Sequence, residues 1–192
     1  MLGDYGTNMA MAMQQRRKIR PPLDAGKLEE MALNYVGRFA TSRSKLIAYL
    51  QRKLRERGWA GADDAPVEAL ADRMVRLGYV DDSAFALSKA RSLTGRGYGE
   101  RRVHQALAQA GIEEEKAAAA HSLAEEQAIE AALTFARRRA IGPFANHAHD
   151  PAEREKALAA MIRAGHRFGV AKAILDLEPG EIPDSDQLFN LR

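Results

Sequence analysis

The sequence predicts an all-α fold of three tandem three-helix units, about nine helices in all, arranged as an elongated helical-repeat array over 192 residues. Apolar residues recur at the three- and four-residue spacing of helix faces. Capping residues and glycines punctuate those stripes. The helix-stopping glycines Gly58, Gly111 and Gly165 fall 53 and 54 residues apart, and the residues four and eight before them match: Leu54 and Leu50, Leu107 and Val103, Met161 and Ala157. A fixed interval of this kind is an internal repeat, and small helical units complete their cores by stacking on neighbours. The competing architecture is one compact nine-helix domain with an accidental period.

Residues 1–22 lack apolar periodicity, carry Arg16, Arg17, Lys18 and Arg20, and end at Pro21-Pro22, so they are expected to form a flexible basic arm. The first unit takes residues 23–80. Asp24 is a candidate N-cap for a helix with Leu28, Met31, Ala32, Tyr35 and Phe39 on one face. Thr41 or Ser42 caps a second helix, apolar at Leu46, Ile47, Leu50 and Leu54 and basic over most of the rest, with a stop at Gly58. Asp63 or Asp64, with Pro66 in the first turn, opens a third helix carrying Val67, Leu70, Met74 and Leu77, closed by Gly78.

The second unit, 81–124, starts at Asp81-Asp82 with a helix bearing Phe85 and breaks at Gly95 and Gly97. It resumes at Gly99 with Val103, Ala106 and Leu107 and stops at Gly111, and Glu113 to Glu115 suit the positive end of its last helix. The third unit, 125–178, has Ile129, Leu133 and Ala136 in its first helix, and a capping-box start at Asp150-Pro151-Ala152-Glu153 leading through Leu158 and Met161. A shorter helix carries Val170, Ile174 and Leu177, and the connection from Gly142 to His149 is longer than its counterparts. Residues 179–192 read as a loose tail.

Cysteine is absent, which removes disulfides and thiolate metal sites and fits a reducing compartment; a cytoplasmic monomer is expected. No stretch approaches the ~20 apolar residues of a membrane helix, so no membrane contact is expected. Net charge is only +3, yet residues 38–57 hold seven basic residues against one acid, and residues 89–102 hold five against one. Residues 113–130 reverse the balance, with six glutamates against one lysine. A basic flank of this kind suits a polyanion or an acidic protein surface. The candidate partner-binding residues are Arg43, Lys45, Arg52, Lys53, Arg55, Arg91, Arg96, Arg101 and Arg102. The opposing interpretation is a solvated helix face. Against it stands the expected lack of glutamate partners at i,i+4 along the second helix.

Leu77, Gly78, Tyr79, Asp81, Asp82 and Phe85 are assigned to core and caps: Gly78 ends a helix, Asp81 or Asp82 caps the next, and Tyr79 and Phe85 anchor the interior. His147 and His149 bracket one loop residue while His104, His121 and His166 are scattered over helices, so no converging metal ligands are expected. No Walker, dinucleotide or serine-elbow pattern occurs, and the Gly95, Gly97, Gly99 turn follows no strand. No catalysis and no cofactor are expected.

Two stretches carry a resemblance. Leu77-Gly78-Tyr79-Val80-Asp81-Asp82-Ser83-Ala84-Phe85-Ala86, followed by Arg96-Gly97-Tyr98-Gly99 and Arg102-Val103 ahead of Leu107 and Gly111-Ile112, resembles the signature of RecX-type regulatory proteins. Upstream, Ser42-Arg43-Ser44 followed by Leu46, Leu50 and Leu54 looks like that family's first-repeat pattern. The resemblance is good over Leu28 to Ile112, and the order of the three units extends it to about Leu177. It implies a bacterial modulator of the RecA recombinase, lying in the groove of the RecA-DNA filament and limiting ATP hydrolysis, strand exchange, co-protease activity and filament growth in recombination and repair. Weak contact with single- or double-stranded DNA is compatible with the basic flank. Direct, sequence-independent DNA binding is the alternative activity, because asparagine and glutamine, the usual readers of bases, are sparse on the basic helices.

Overall fold

The structure, a computed structural model, describes residues 21–183; residues 1–20 of the arm and 184–192 of the tail lie outside the described residues. Among the described residues the chain forms α1 (Ala25–Val36), α2 (Arg43–Arg57), α3 (Val67–Arg76), α4 (Asp82–Gly95), α5 (Glu100–Gln109), α6 (Glu114–Glu126) and α7 (Ala128–Arg139). A 3-10 turn (Gly142–Phe144), α8 (Pro151–Arg163) and α9 (Phe168–Asp176) complete it. Leu23 runs beside Trp59 as an isolated parallel β-bridge. The fold is all-α, and no helix among the described residues is long and apolar enough to cross a membrane.

Local capping sets the helix starts. The side chains of Asp24, Ser42, Asp81 and Asp150 accept from the backbone N–H three residues on, at 2.7, 3.2, 2.9 and 2.8 Å. At Asp150 the box is complete, because its own N–H donates to Glu153 at 3.0 Å. One expected cap is absent: α3 begins at Val67 with Pro66 before it and no side-chain cap, while Asp63 uses its backbone carbonyl to accept the Trp59 indole N–H at 2.6 Å.

Three hydrophobic clusters follow along the chain. Leu28, Leu46, Leu50 and Met74 centre the first, Ala90, Val103, Leu107 and Ala120 the second, and Ile129, Met161, Val170 and Ile174 the third. Helices α1 to α3 pack on one another, as do α4 to α6 and α7 to α9, and α7 packs also on α4 and α6.

Three of the signature residues expected in the interior, Leu77, Tyr79 and Phe85, are not fully buried. Leu77 and Tyr79 are each 56% exposed, not core. The cause is the turn that ends α3: Gly78, at φ +74°, lets its own N–H reach the Val75 carbonyl and the Tyr79 N–H reach that of Met74, both at 2.9 Å. This closure swings Val80 into the core and leaves Leu77 and Tyr79 facing solvent. Phe85 is half-buried beneath the Lys45 ammonium, 5.0 Å from the ring centre, and Phe39 lies beyond the end of α1 and is exposed. Asp81 caps its own helix, whereas Asp82 accepts from the Arg43 backbone N–H at 2.9 Å and so caps α2 from across the joint.

The joints between clusters are polar and close. Ser42 Oγ donates to the Ala110 carbonyl at 2.6 Å and Ser44 Oγ to that of Gly111 at 3.2 Å, tying the start of α2 to the end of α5. Between α5 and the end of α8, the Gly99 N–H donates to the Ala164 carbonyl at 3.0 Å, and the Arg167 guanidinium pairs with Glu100. His166 is buried there with Nε2 3.1 Å from the Gly97 carbonyl; a carbonyl only accepts, so Nε2 carries the proton.

Burial lowers the pKa of His166 to about 4, against the hydrogen bond to Gly97 that favours its charged form. In the unfolded chain the same imidazole titrates near 6.5. Between those values only the unfolded state takes up the proton, so His166 removes stability as pH falls from about 6.5 to 4. The expected loss from His166 between pH 7 and pH 5 is about 2 kcal/mol, read from denaturant melts at the two pH values. A His166→Gln chain should lose correspondingly less over the same interval, and an equal loss in both chains would remove His166 as the cause.

The described part of the tail, residues 179–183, is partly bonded: the Gly180 N–H donates to the Pro143 carbonyl at 2.9 Å.

Candidate partner-binding groove

Helix α2 enters the first joint with Lys45 on its exposed side, and α4, α5 and the turn between them present Lys89, Arg96 and Arg102 to the same space. These four cations, with Leu93, Tyr98, Ala106, Gln109 and Ala110, line a groove of about 390 Å³. No carboxylate lines it among the described residues. Three of the four are held by contacts that bring no carboxylate among the described residues. Lys45 lies over Phe85, Arg96 stacks on Tyr98 with its guanidinium carbon 5.2 Å from the ring centre, and Arg102 donates to the Gln105 side-chain oxygen at 2.7 Å.

Arg96 and Tyr98 also line a smaller cleft of about 100 Å³ with Phe135, Arg138 and Arg139 from α7. Arg138 donates to the Arg96 carbonyl at 2.7 Å, and Arg139 lies over Phe135 at 5.7 Å. The two clefts share a wall. Together they make a cationic track from the start of α2 to the end of α7, suited to a row of phosphates or carboxylates.

Of the expected contact residues, Lys45, Arg96 and Arg102 meet in this track; the others do not. Arg43 is bound to Asp72 at 2.6 Å and Glu68 at 2.8 Å, which raises its pKa and holds the Asp72 carboxyl below its ordinary value. It is a strut between α2 and α3. Arg52 and Lys53 share Glu56, at 3.7 and 2.5 Å, so the expected lack of an i,i+4 partner on this helix is corrected. Arg55 lies in the last turn of α2 and Arg91 on α4, both exposed and outside the track. Arg101, next to Arg102 in sequence, points into a different cavity.

That cavity, about 610 Å³, is lined by Glu100, Arg101, His104, Glu114, His121, Ser122, Glu125 and Arg167. Its charges are mixed and partly spent on each other, as in the pair Arg167 with Glu100. His104 and His121 stack with ring centres 3.6 Å apart, and burial, then the His121 charge, lowers the His104 pKa. Lys89, Arg138 and Arg139 are the track residues missing from the expected set. The run Arg137-Arg138-Arg139 was the available signal for the last two.

Comparison with known proteins agrees with this arrangement of helices. A family model described as the second three-helix domain of RecX matches residues 81–120. A regulatory protein RecX from Myxococcus xanthus is 36% identical over 174 residues, a match spanning 85% of this chain and 89% of that protein. The chain belongs to the RecX family. A second RecX-family relative, the regulatory protein RecX of Agrobacterium fabrum, is 32% identical over 139 residues, covering 70% of this chain and 74% of its own length. The crystal structure of RecX from Lactobacillus salivarius superposes with a TM-score of 0.56 at 18% identity, covering 79% of this chain and 96% of that one. That likeness concerns the fold alone. Glycines Gly97 and Gly99 of the RecX-like signature now have a packing cause: a Cβ on Gly97 would lie 2.8 Å from the Phe135 backbone nitrogen, and one on Gly99 would strike the Gly165 carbonyl.

Proposed function

We propose that this RecX-family chain is a negative regulator of the RecA recombinase, acting as a cytoplasmic monomer that binds along the RecA-DNA filament and slows ATP hydrolysis, strand exchange and filament growth without catalysing a reaction. The observation that supports it most is the cationic track of Lys45, Lys89, Arg96 and Arg102, continued by Arg138 and Arg139. A filament offers repeated acidic and phosphate groups, and a row of cations on several helices matches such a repeat better than a single small anion. Leu77 and Tyr79, large and exposed beside the first joint's helices, supply apolar area that a protein partner would cover. In this proposal residues 23–80, 81–124 and 125–178 are the three units, and the partner bridges them.

The test is co-sedimentation with RecA filaments on single-stranded DNA, beside DNA alone and RecA alone, at low and moderate salt. Pelleting with the filament well above pelleting with DNA alone supports the proposal. Equal retention by bare DNA would favour the direct DNA-binding activity instead, with the same track holding phosphates.

A further inference from the structure

The segment His147-Ala148-His149 sits immediately before the N-cap of α8, and the capping box folds Glu153 back over it. Three ligand-type atoms converge as a result. His147 Nε2 lies 3.4 Å and His149 Nδ1 3.7 Å from the same oxygen, Glu153 Oε2, and one donor atom from each of the three residues lies within 4.8 Å of the others. The His149 contact is too long for a hydrogen bond, and both of its ring nitrogens are buried with no hydrogen-bond partner among the described residues. A buried imidazole left in this state is costly unless something else satisfies it.

The spacing fits a metal. Zinc with nitrogen and oxygen ligands at about 2.0 to 2.1 Å in tetrahedral geometry separates neighbouring ligand atoms by roughly 3.3 to 3.5 Å. We propose that His147, His149 and Glu153 form a divalent transition-metal site of the zinc class, which pins the long connection after Gly142 to the start of α8. Two imidazoles and one carboxylate select zinc-like ions over calcium or magnesium, which take oxygen ligands. Glu178 lines the same cavity of about 80 Å³ as the two histidines. Arg154 lines it too, but its guanidinium is held by the Leu175 carbonyl and the Asp176 carboxylate. The proposal departs from the expectation, drawn from the sequence, that no metal ligands converge.

Untagged, chelator-treated full-length chain is titrated with Co²⁺ and Zn²⁺. Wild type should bind one ion and give the intense visible absorption of four- or five-coordinate Co²⁺, bleached by Zn²⁺. His147→Ala with His149→Ala should weaken binding at least tenfold, and Glu153→Gln, which keeps a capping acceptor, severalfold. Zinc should raise the melting temperature of wild type and leave that of the double variant unchanged. His104→Gln with His121→Gln should bind as wild type does. No saturable binding, only the weak spectrum of the six-coordinate aquo ion, equal binding by the double variant, or loss on changing His104 and His121 would each overturn the proposal.

Discussion

Reversing two charges in the track, Lys89→Glu with Arg102→Glu, is expected to weaken inhibition of RecA by on the order of 100-fold at low salt, since juxtaposing like charges at an interface costs several kcal/mol. The fold should persist. Lys89 and Arg102 have no carboxylate partner along the groove, so their replacement breaks no ion pair there. Surface changes of this kind usually stay within about 0.5 kcal/mol of neutral stability. Arg101→Glu is the internal comparison. It lies one residue away on α5 but lines the cavity of mixed charge, so its inhibition should stay close to that of wild type. The measurement is inhibition of DNA-dependent ATP hydrolysis at two salt concentrations, with circular dichroism melts for each variant. An equal loss in Arg101→Glu and in the double variant would show that neither cavity distinguishes contact from bystander.

Gly99→Ala should destabilise the chain by about 3 kcal/mol, at the upper end of the usual cost of an overpacked interior. The backbone at Gly99 is ordinary, with φ −77° and ψ 168°, so conformational strain contributes nothing. The effect is purely steric. A Cβ there would lie closer than 3.0 Å to the carbonyl carbon and oxygen of Gly165 and to the His166 nitrogen, and no side chain can rotate to relieve contacts with backbone. The hydrogen bond from Gly99 to Ala164 and the Arg167 pair with Glu100 sit in the same joint and would be displaced together. Gly95→Ala is the control: its Cβ meets nothing within 4 Å, and in the last turn of a helix alanine is favoured by up to about 1 kcal/mol. A loss of about 3 kcal/mol is a large part of the 5 to 15 that holds a typical domain folded. Denaturant melts of both variants measure the difference directly.

Ser42, Asp81 and Asp150 were identifiable as caps because capping is local, involving a side chain and a backbone N–H three residues on. The stripes of Leu46 and Leu50 or Val170 and Ile174 were identifiable because burial follows helical period. The exposure of Leu77 and Tyr79 is not legible in the sequence, because residue type and spacing do not reveal the direction taken after a left-handed glycine. The pairing of Arg43 has no local signal, because its partners, Glu68 and Asp72, are a helix away. Asp82 caps a helix 39 residues earlier, a pairing visible only after the units meet. The track itself is an outcome of stacking: Lys45, Lys89 and Arg139 share no local pattern, and only the packing of α2, α4, α5 and α7 lines them up.

The central claim is that this chain restrains RecA through the track, and steady-state ATP hydrolysis by RecA on single-stranded DNA tests it most directly. Titrating the wild-type chain at fixed RecA and DNA should lower the rate progressively, at or below one chain per RecA subunit, while the Lys89→Glu, Arg102→Glu chain leaves it nearly unchanged. An undiminished rate at an excess of folded wild-type chain would contradict the account.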